Sequence, residues 1–290
     1  MYLGCIIVRG RGEIQPSFRY YLVSYVQFRI GLVAKGGQPV FSDHLQLKHK
    51  RQRRFMHIGF VIALICACAA LGAGVGYRVG LWHFRTGIEI LKWSFFVSAP
   101  TLLFLLVCVF FLKAKTTSDL IVGILGIVIS ATLVYVPYSW KKTLDRYPYI
   151  HDVTTDMDNP PEFVAAARLR GQGDHPIAYD GPEVAEQQKK AYPNIQPVFL
   201  KEDPSSVFNK IEATLLEMGL EITESDADAG RVEAVDTTFL FGFRDDLVVR
   251  ISAEEGKGTR VDVRSKSRVG MSDLGQNAKR IARFIELLEN

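Results

Sequence analysis

The pattern of apolar and polar positions divides the chain into two unlike halves. Three uncharged apolar runs of 20 or 21 residues lie in the first half, at Ile58–Tyr77, Trp93–Leu112 and Leu120–Trp140. A helix needs about 20 apolar residues to cross the hydrocarbon core of a bilayer. The pattern therefore predicts a three-helix transmembrane region at residues 56–140 and a multi-pass membrane protein.

Residues 198–290 have the mixed periodicity of a compact domain. Apolar positions from Val207 to Leu215 repeat at helical spacing after Asp203-Pro204, and Gly219 ends this helix. Four segments with strand-like alternation follow, at residues 220–223, 231–241, 246–253 and 259–269. A last amphipathic helix begins at Ser272 or Asp273. The order predicts an α+β fold, in which an α-β4-α module has an antiparallel sheet with both helices on one apolar face.

Proline is concentrated between these two regions. Eight of the twelve prolines lie in residues 141–204. Because proline interrupts long helices and central strands, residues 141–197 are predicted to be a proline-rich connector of irregular chain. Short helices are expected at Pro161–Arg170 and Pro182–Ala191, each with proline in its first turn.

Charge is distributed unevenly along the chain. Residues 1–140 hold 15 Lys/Arg and 4 Asp/Glu, whereas residues 141–290 hold 20 Lys/Arg and 27 Asp/Glu. The basic excess at the membrane end indicates topology and contact with lipid headgroups, and the acidic second half argues against nucleic acid as a partner. Residues 141–290 lack cysteine, which excludes disulfides and thiolate chemistry there.

The start of the chain governs its orientation in the membrane. Residues 1–55 are a basic N-terminal extension, and Met56 is an alternative start that would make this extension an artefact of the gene model. With the extension, seven Lys/Arg flank the N-terminal side of the spans and six flank the other side; without it, the counts are two and six. The full count favours an N-terminus inside and a module outside the membrane that the helices span.

A basic stripe marks one face of the last predicted strand. Alternation along the strand places cationic side chains on one face, joined by a neighbour on the third strand: Arg250, Arg260, Arg264, Lys266 and Arg268. One interpretation is an exposed face that binds an anionic lipid or glycan. The alternative is a solvated face with cross-strand pairs to Glu221 or Glu233, each contributing about 0.2–1 kcal/mol.

An aromatic turn forms the most unusual segment. It comprises residues 239–246, with three phenylalanines and three charges beside a glycine: Phe239, Phe241, Phe243, Arg244, Asp245 and Asp246. One interpretation is an apolar lip that contacts membrane or ligand. The alternative is that two of the rings seal the core and the charged residues are solvated.

Catalytic and metal-binding signatures are absent from the sequence. The possible metal ligands between residues 151 and 162 match neither zinc nor EF-hand spacing: His151, Asp152, Asp156, Asp158 and Glu162. No metal is therefore predicted, and a calcium-dependent site at 151–162 is an alternative hypothesis. Nucleotide-binding loops, nucleophile elbows and zincin motifs are also missing. No catalytic residue and no cofactor is predicted, and the chain is more in keeping with a non-enzyme.

Four separated motifs carry a family resemblance. They are IHDVTTDMDNPPEF (150–163), AYPNIQP (191–197), RVEAVDTTFLFGFRDDLVVRI (231–251) and RVDVRSKSRVGMSDLGQNAKRIARFI (260–285). In this order they resemble the bacterial membrane-anchored family called domain of unknown function 1499. The resemblance implies a bacterial envelope protein and supplies no activity. Together with the spans and the charge count, it implies a multi-pass protein of the inner (cytoplasmic) membrane with a periplasmic module. The layout of the module is also weakly similar to the helix-grip repeats of a lipoprotein from the outer-membrane β-barrel assembly machinery.

Two functions are compatible with these features. The first is a membrane-anchored binding or scaffold module that contacts the lipid bilayer, an envelope protein, or an anionic lipid or glycan. The second is a lipid-acting enzyme or transport accessory at the bilayer, for which the spans offer a few hydroxyl groups and no charge. The sequence leaves the activity, the ligand and the oligomeric state open.

Overall fold

The first part of the fold is a bundle of three long helices. The computed structural model describes residues 40–111, 116–144 and 146–290, with side chains from Arg53 onward apart from that of Thr143. The helices are α1 Val40–Arg78, α2 Phe84–Phe111 and α3 Thr117–Leu144. Each is long and apolar enough to cross a membrane, over residues 53–78, 84–111 and 117–142. The expected multi-pass architecture is confirmed.

The helix bounds differ from the apolar runs at two places. α1 continues from Val40 through Met56 without a break, while residues 1–39 of the predicted extension lie outside the described residues. α2 begins at Phe84, before the expected start at Trp93, because its first turns pack against the end of α1 at Gly87. The charged residues Glu89 and Lys92 therefore lie inside this helix and form an ion pair.

The second part of the fold is a six-stranded antiparallel sheet with helices. Its strands are β1 Asp152–Thr154, β2 Val198–Leu200, β3 Glu221–Asp226, β4 Arg231–Thr237, β5 Arg244–Glu254 and β6 Gly258–Ser267. Its helices are α4 Ala165–Leu169, α5 Pro182–Ala191, α6 Pro204–Glu217 and α7 Gln276–Glu289. The strand order is β1-β6-β5-β4-β3, and β2 pairs with β6 beside β1. The predicted α+β class is confirmed.

The main core lies between one face of this sheet and the helices α6 and α7. Val207, Ile211 and Leu215 of α6 pack there with Ile281 and Phe284 of α7. The carboxylate of Asp203 accepts hydrogen bonds from the amides of Ser205 and Ser206 and so caps α6 as expected. Both predicted helices lie on this apolar face, and we call the opposite face of the sheet the back face.

β1 lies in the segment that is predicted to be irregular, and β2 lies at the start of the predicted module, where no strand is predicted. Asp152 pairs with Lys266 in β1–β6, and Val198 pairs with Val261 in β2–β6. The outer edge of β1 is closed by a side chain, because the Gln188 amide accepts from the Thr154 N–H at 2.9 Å and donates to its carbonyl at 2.6 Å. The proline-rich segment is therefore part of the sheet and covers its back face.

The predicted end of β4 and the predicted start of α7 are both wrong, and the backbone conformation explains each difference. β4 ends at Thr237 and not near Phe241, since Thr238 exchanges hydrogen bonds with Phe243 and Gly242 adopts a φ of 68° to close a loop. α7 begins at Gln276, because Leu274 and Gly275 have φ values of 55° and 77° that no right-handed helix accommodates. Asp273 still caps the helix by accepting from the Asn277 amide at 2.8 Å.

Candidate functional site

Three of the five side chains of the basic stripe are buried and the other two, Arg250 and Arg260, are half-buried, so the expectation of an exposed face is wrong. Arg264, Lys266 and Arg268 are 3%, 0% and 5% exposed. Alternation correctly placed these side chains on one face, but the segment between β1 and α5 folds across that face and removes it from solvent. Because buried cations must be paired, each side chain has acidic partners within the module.

Asp152 is the centre of the first group of ion pairs. Its two oxygens accept from Arg264 Nε at 2.9 Å and Nη2 at 2.8 Å, and Lys266 Nζ lies 3.0 Å from Oδ2. Lys266 also donates to Asp180 Oδ1 at 2.7 Å. The side chain of Phe163 lies against the Arg264 guanidinium, 4.9 Å from ring centroid to carbon. Asp152 therefore serves as a counter-ion and is not free to bind calcium.

Asp246 is the centre of the second group. It accepts from Arg268 Nη2 at 2.7 Å and from Arg170 Nε at 2.8 Å, with all three side chains buried. The remaining members of the stripe, Arg250 and Arg260, both bond to carboxylates nearby. We call the two groups, Asp152–Arg264–Lys266–Asp180 and Asp246–Arg268–Arg170, the ionic layer.

A glutamate fixes the segment that covers the ionic layer. Glu233 on β4 is buried on the back face and accepts from the amides of Val164, Ala165 and Ala166 at 2.6, 3.0 and 2.9 Å. These are the first amides of α4, where helices bind carboxylates well. The sequence pattern suggests Glu233 only as a cross-strand partner of the stripe, and nothing in its sequence neighbourhood indicates this contact.

Two histidines border the ionic layer. His151 and His175 stack with ring centroids 4.1 Å apart, and His151 Nε2 lies 3.3 Å from Asp180. Burial lowers the pKa of His151, with a further contribution from the charge of His175. Nearby, burial raises the pKa of Tyr179 to about 12. Both shifts favour the neutral forms of His151 and Tyr179.

We expect His151 to make the module less stable in mild acid. Its pKa in the folded state lies below the usual 6.5, so the unfolded chain binds more protons and stability falls as the pH drops through and below about 6.5. Urea unfolding of the full chain in detergent, followed by circular dichroism between about pH 5 and 7.5, measures this dependence. H151Q should flatten it, whereas H83Q, at an exposed histidine, should not; equal slopes for H151Q and the parent would contradict the assignment.

The densest part of the motif RSKSRVG…N..R joins β6 to α7. Asn277 accepts from Ser265 Oγ at 2.8 Å and donates to Ser267 Oγ at 3.0 Å. Arg280 donates to Ser265 Oγ at 2.9 Å and pairs with Asp245 at 2.7 Å. These polar groups hold the last helix on the sheet, which is a structural role.

The aromatic turn lies against the membrane helices. Phe243 contacts Tyr77 of α1 and Phe84 of α2, with ring centroids 5.4 and 6.2 Å apart, and it stacks on Phe241 at 4.9 Å. The Arg78 guanidinium donates to the Phe239 carbonyl at 2.6 Å. The turn therefore docks the module on the helix ends where α1 finishes and α2 begins.

Two glycines make this docking possible. A Cβ added to Gly74 would lie 2.8 Å from both the side chain and the carbonyl oxygen of Leu240, and one added to Gly87 would lie 3.1 Å from the Phe241 ring. Sequence reasoning did not assign Gly74, Arg78 or Gly87 to a site. The sequence shows Gly74 and Gly87 only as small residues in apolar helices. Such residues are too common in membrane spans to indicate a docking position.

The members of the aromatic turn differ sharply in exposure. Phe239 is 90% exposed, whereas Phe241 is 6% exposed between the module and α2. Asp245 and Asp246 are buried and paired with Arg280 and Arg268, so the expectation that they are solvated is wrong. Arg244 is exposed and makes no side-chain hydrogen bond or ion pair with any residue of the described part.

Three cavities accompany these surfaces. The first, of about 470 Å³, lies between the end of α1 and the module and is lined by Tyr77, Arg78, Asp174, Arg244 and Arg268; we call it the arginine cleft. An apolar groove of about 720 Å³ lies between α1, α2 and α3, with Leu240 in its wall. A polar cavity of about 570 Å³ lies beside α5.

Comparison with known proteins gives a family and one curated relative. Residues 152–288 match the family described as "Protein of unknown function (DUF1499)". The protein named "MFS transporter prlL", from a fungal species (strain NRRL 50135), is 29% identical over 97 residues. That alignment covers 33% of this chain and 20% of the fungal protein, so the chain spans a minor part of its relative. Behind three helices of membrane-spanning length, residues 152–288 of the chain thus match the DUF1499 family.

Proposed function

We propose that this protein is a membrane-anchored binding module that works at the bilayer surface, with its aromatic turn in the headgroup layer. The observation that carries the proposal is the exposure of Phe239, at 90%, on a turn whose other aromatic rings pack on the ends of α1 and α2. An exposed ring held next to spanning helices has the bilayer as its nearest apolar environment.

The level of the turn supports this placement. Leu240 contacts Gly74, one helical turn inside Arg78, and Arg78 is the last residue of α1. Trp82 and Tyr77 lie at the same end of the bundle, as interfacial anchors do. Moving a phenylalanine side chain from water into an apolar environment contributes about 1.5–3 kcal/mol. The turn would therefore hold the sheet close to the membrane in one orientation.

The ionic layer argues against the basic strand as the binding surface. Arg264, Lys266 and Arg268 are covered and neutralised by Asp152, Asp180 and Asp246, so their charges serve the fold. What stays accessible near the membrane is the aromatic turn and the arginine cleft. An anionic lipid fits this surface better than a soluble glycan does.

Photocrosslinking from position 239 tests the proposal. With p-benzoylphenylalanine in place of Phe239, irradiation of the full chain in membranes should give lipid adducts by mass spectrometry. The same substitution at Phe199, an exposed ring on β2, is the matched control, because it lies roughly 25 Å away along β6 from the membrane end of the sheet. Lipid adducts at neither position, or equally at both, would overturn the proposal.

The compartment forms a further part of the proposal. Seven Lys/Arg on the N-terminal side against six on the module side support a periplasmic module in a bacterial inner membrane. Alkaline phosphatase fused after Asn290 should then be active. An inactive but expressed fusion would place the module in the cytoplasm and leave its contact with the bilayer unaffected.

The apolar groove favours a second candidate, a lipid-acting or transport accessory role. It lies between three spans and has Leu240 in its wall, and the fungal relative is named a transporter. In vesicles with a fluorescent lipid, the parent chain would then move or convert lipid faster than A67F, which fills the groove. Equal rates would leave the binding module as the supported function.

A further inference from the structure

We propose that the arginine cleft binds the phosphate of an anionic membrane lipid. This inference rests on the proposed function, since it names the ligand that the bilayer-facing surface takes. The cleft has a volume of about 470 Å³ and lies where the end of α1, the aromatic turn and the start of β5 meet. Its position at the end of a spanning helix is the level of lipid headgroups.

The charges of the cleft are not balanced by the protein. In the described part of the chain, neither Arg78 nor Arg244 has a carboxylate within ion-pair distance, and both side chains are exposed. Arg78 uses one nitrogen on the Phe239 carbonyl, at 2.6 Å. Arg268 is already paired with Asp246, so it lends a partly compensated charge to the wall. Asp174 is the acidic group of the lining.

The type of cation also points to phosphate. A guanidinium presents several N–H donors in a planar fork that matches two oxygens of a phosphate. Arg244 has all its side-chain donors free of partners within the described residues, and Tyr77 adds a hydroxyl to the same lining. Gly242, with its φ of 68°, brings the backbone close to the Arg78 stem, at 3.1 Å from where a Cβ would lie, and so keeps the two arginines on one cleft.

The position of Phe239 explains why the phosphate would be that of a lipid. The carbonyl of Phe239 is bonded to Arg78, and its ring is directed away from the protein with 90% exposure. A ring in the headgroup layer places the cleft beside lipid phosphates, whose concentration at a membrane surface far exceeds that of free phosphate. The anionic headgroups are favoured over zwitterionic ones because the cleft carries excess positive charge.

Native mass spectrometry of the full chain, released from micelles that contain phosphatidylglycerol or phosphatidylcholine, tests this site. The parent should retain phosphatidylglycerol in preference to phosphatidylcholine. R244E should weaken that retention about tenfold or more, the size expected on losing one charge-assisted bond. R244K should keep a partial preference, and R283E, at an exposed arginine on α7, should bind as the parent does.

Three results would overturn the site. They are unchanged retention by R244E, equal loss in R283E, which would indicate net charge alone, and displacement of the lipid by inorganic phosphate, which would assign the cleft to a free anion. Circular dichroism and crosslinking from position 239 in R244E separate the alternatives. Lipid adducts that persist in R244E, together with lost headgroup preference, support the cleft; adducts missing from the parent would overturn the membrane placement itself.

Discussion

D246A is expected to lower the free energy of unfolding of the module by about 3–5 kcal/mol. Asp246 is buried and bonds to Arg268 at 2.7 Å and to Arg170 at 2.8 Å, and both guanidiniums are covered as well. Removing one partner of a buried pair leaves the other charge uncompensated in a poorly solvated place, and this accounts for the cost. Here the loss of one carboxylate leaves two buried arginines, Arg268 and Arg170, without their acidic partner.

Chemical unfolding of the full chain in detergent, monitored by circular dichroism, measures this loss. D228A is the matched control, because Asp228 is an exposed aspartate in the β3–β4 turn and should change stability by less than about 0.5 kcal/mol. A value for D246A within that range would show that water reaches the ionic layer. In that case the basic strand would again be a candidate binding face.

E233A is expected to release the segment that covers the back face and to lower the free energy of unfolding by about 2–4 kcal/mol. Its carboxylate accepts from three successive amides, at Val164, Ala165 and Ala166, two of which belong to buried residues. Each buried donor left without a partner costs about 1–3 kcal/mol, and the exposure of Val164 to water reduces the sum.

Hydrogen exchange resolves the local consequence of E233A from a general loss of stability. The amides of residues 164–166 should lose protection from exchange first, whereas the amides of β5 should keep their protection under mild conditions. E233Q keeps one carbonyl oxygen and should restore part of the protection. E255A, at an exposed glutamate in the β5–β6 turn, should change neither the free energy of unfolding nor the protection of residues 164–166. Retained protection of these residues in E233A would contradict the role of Glu233 as an anchor.

The aromatic turn shows how far sequence reasoning reached for the candidate site. Three phenylalanines beside a glycine were enough to single out residues 239–246, because such a cluster is unusual at a turn. The partners of the turn were out of reach, since Gly74, Arg78 and Gly87 lie more than 150 residues away and carry no distinguishing pattern. Docking is a property of two surfaces, and one surface alone does not reveal the other.

For the ionic layer, the sequence identified the residues and their shared face but did not predict that they are buried and paired. Period-two alternation placed Arg264, Lys266 and Arg268 on one face of β6, as the structure has them. The pairing of β1 with β6, and of Glu233 with α4, depends on contacts across roughly 70 to 110 residues of chain. Alternation has no information about what lies on the other side of a strand.

By itself, the sequence determined the three spans, the α-β4-α order of residues 204–289, and the α+β class. These features follow from local composition, since the length of an apolar run and the period of a pattern are properties of neighbouring residues. The tertiary structure alone decided that the proline-rich segment closes the sheet, that the basic strand is neutralised within the fold, and that the turn meets the membrane helices. Those outcomes depend on which distant side chains share a buried volume, where an unpaired charge is too costly to remain.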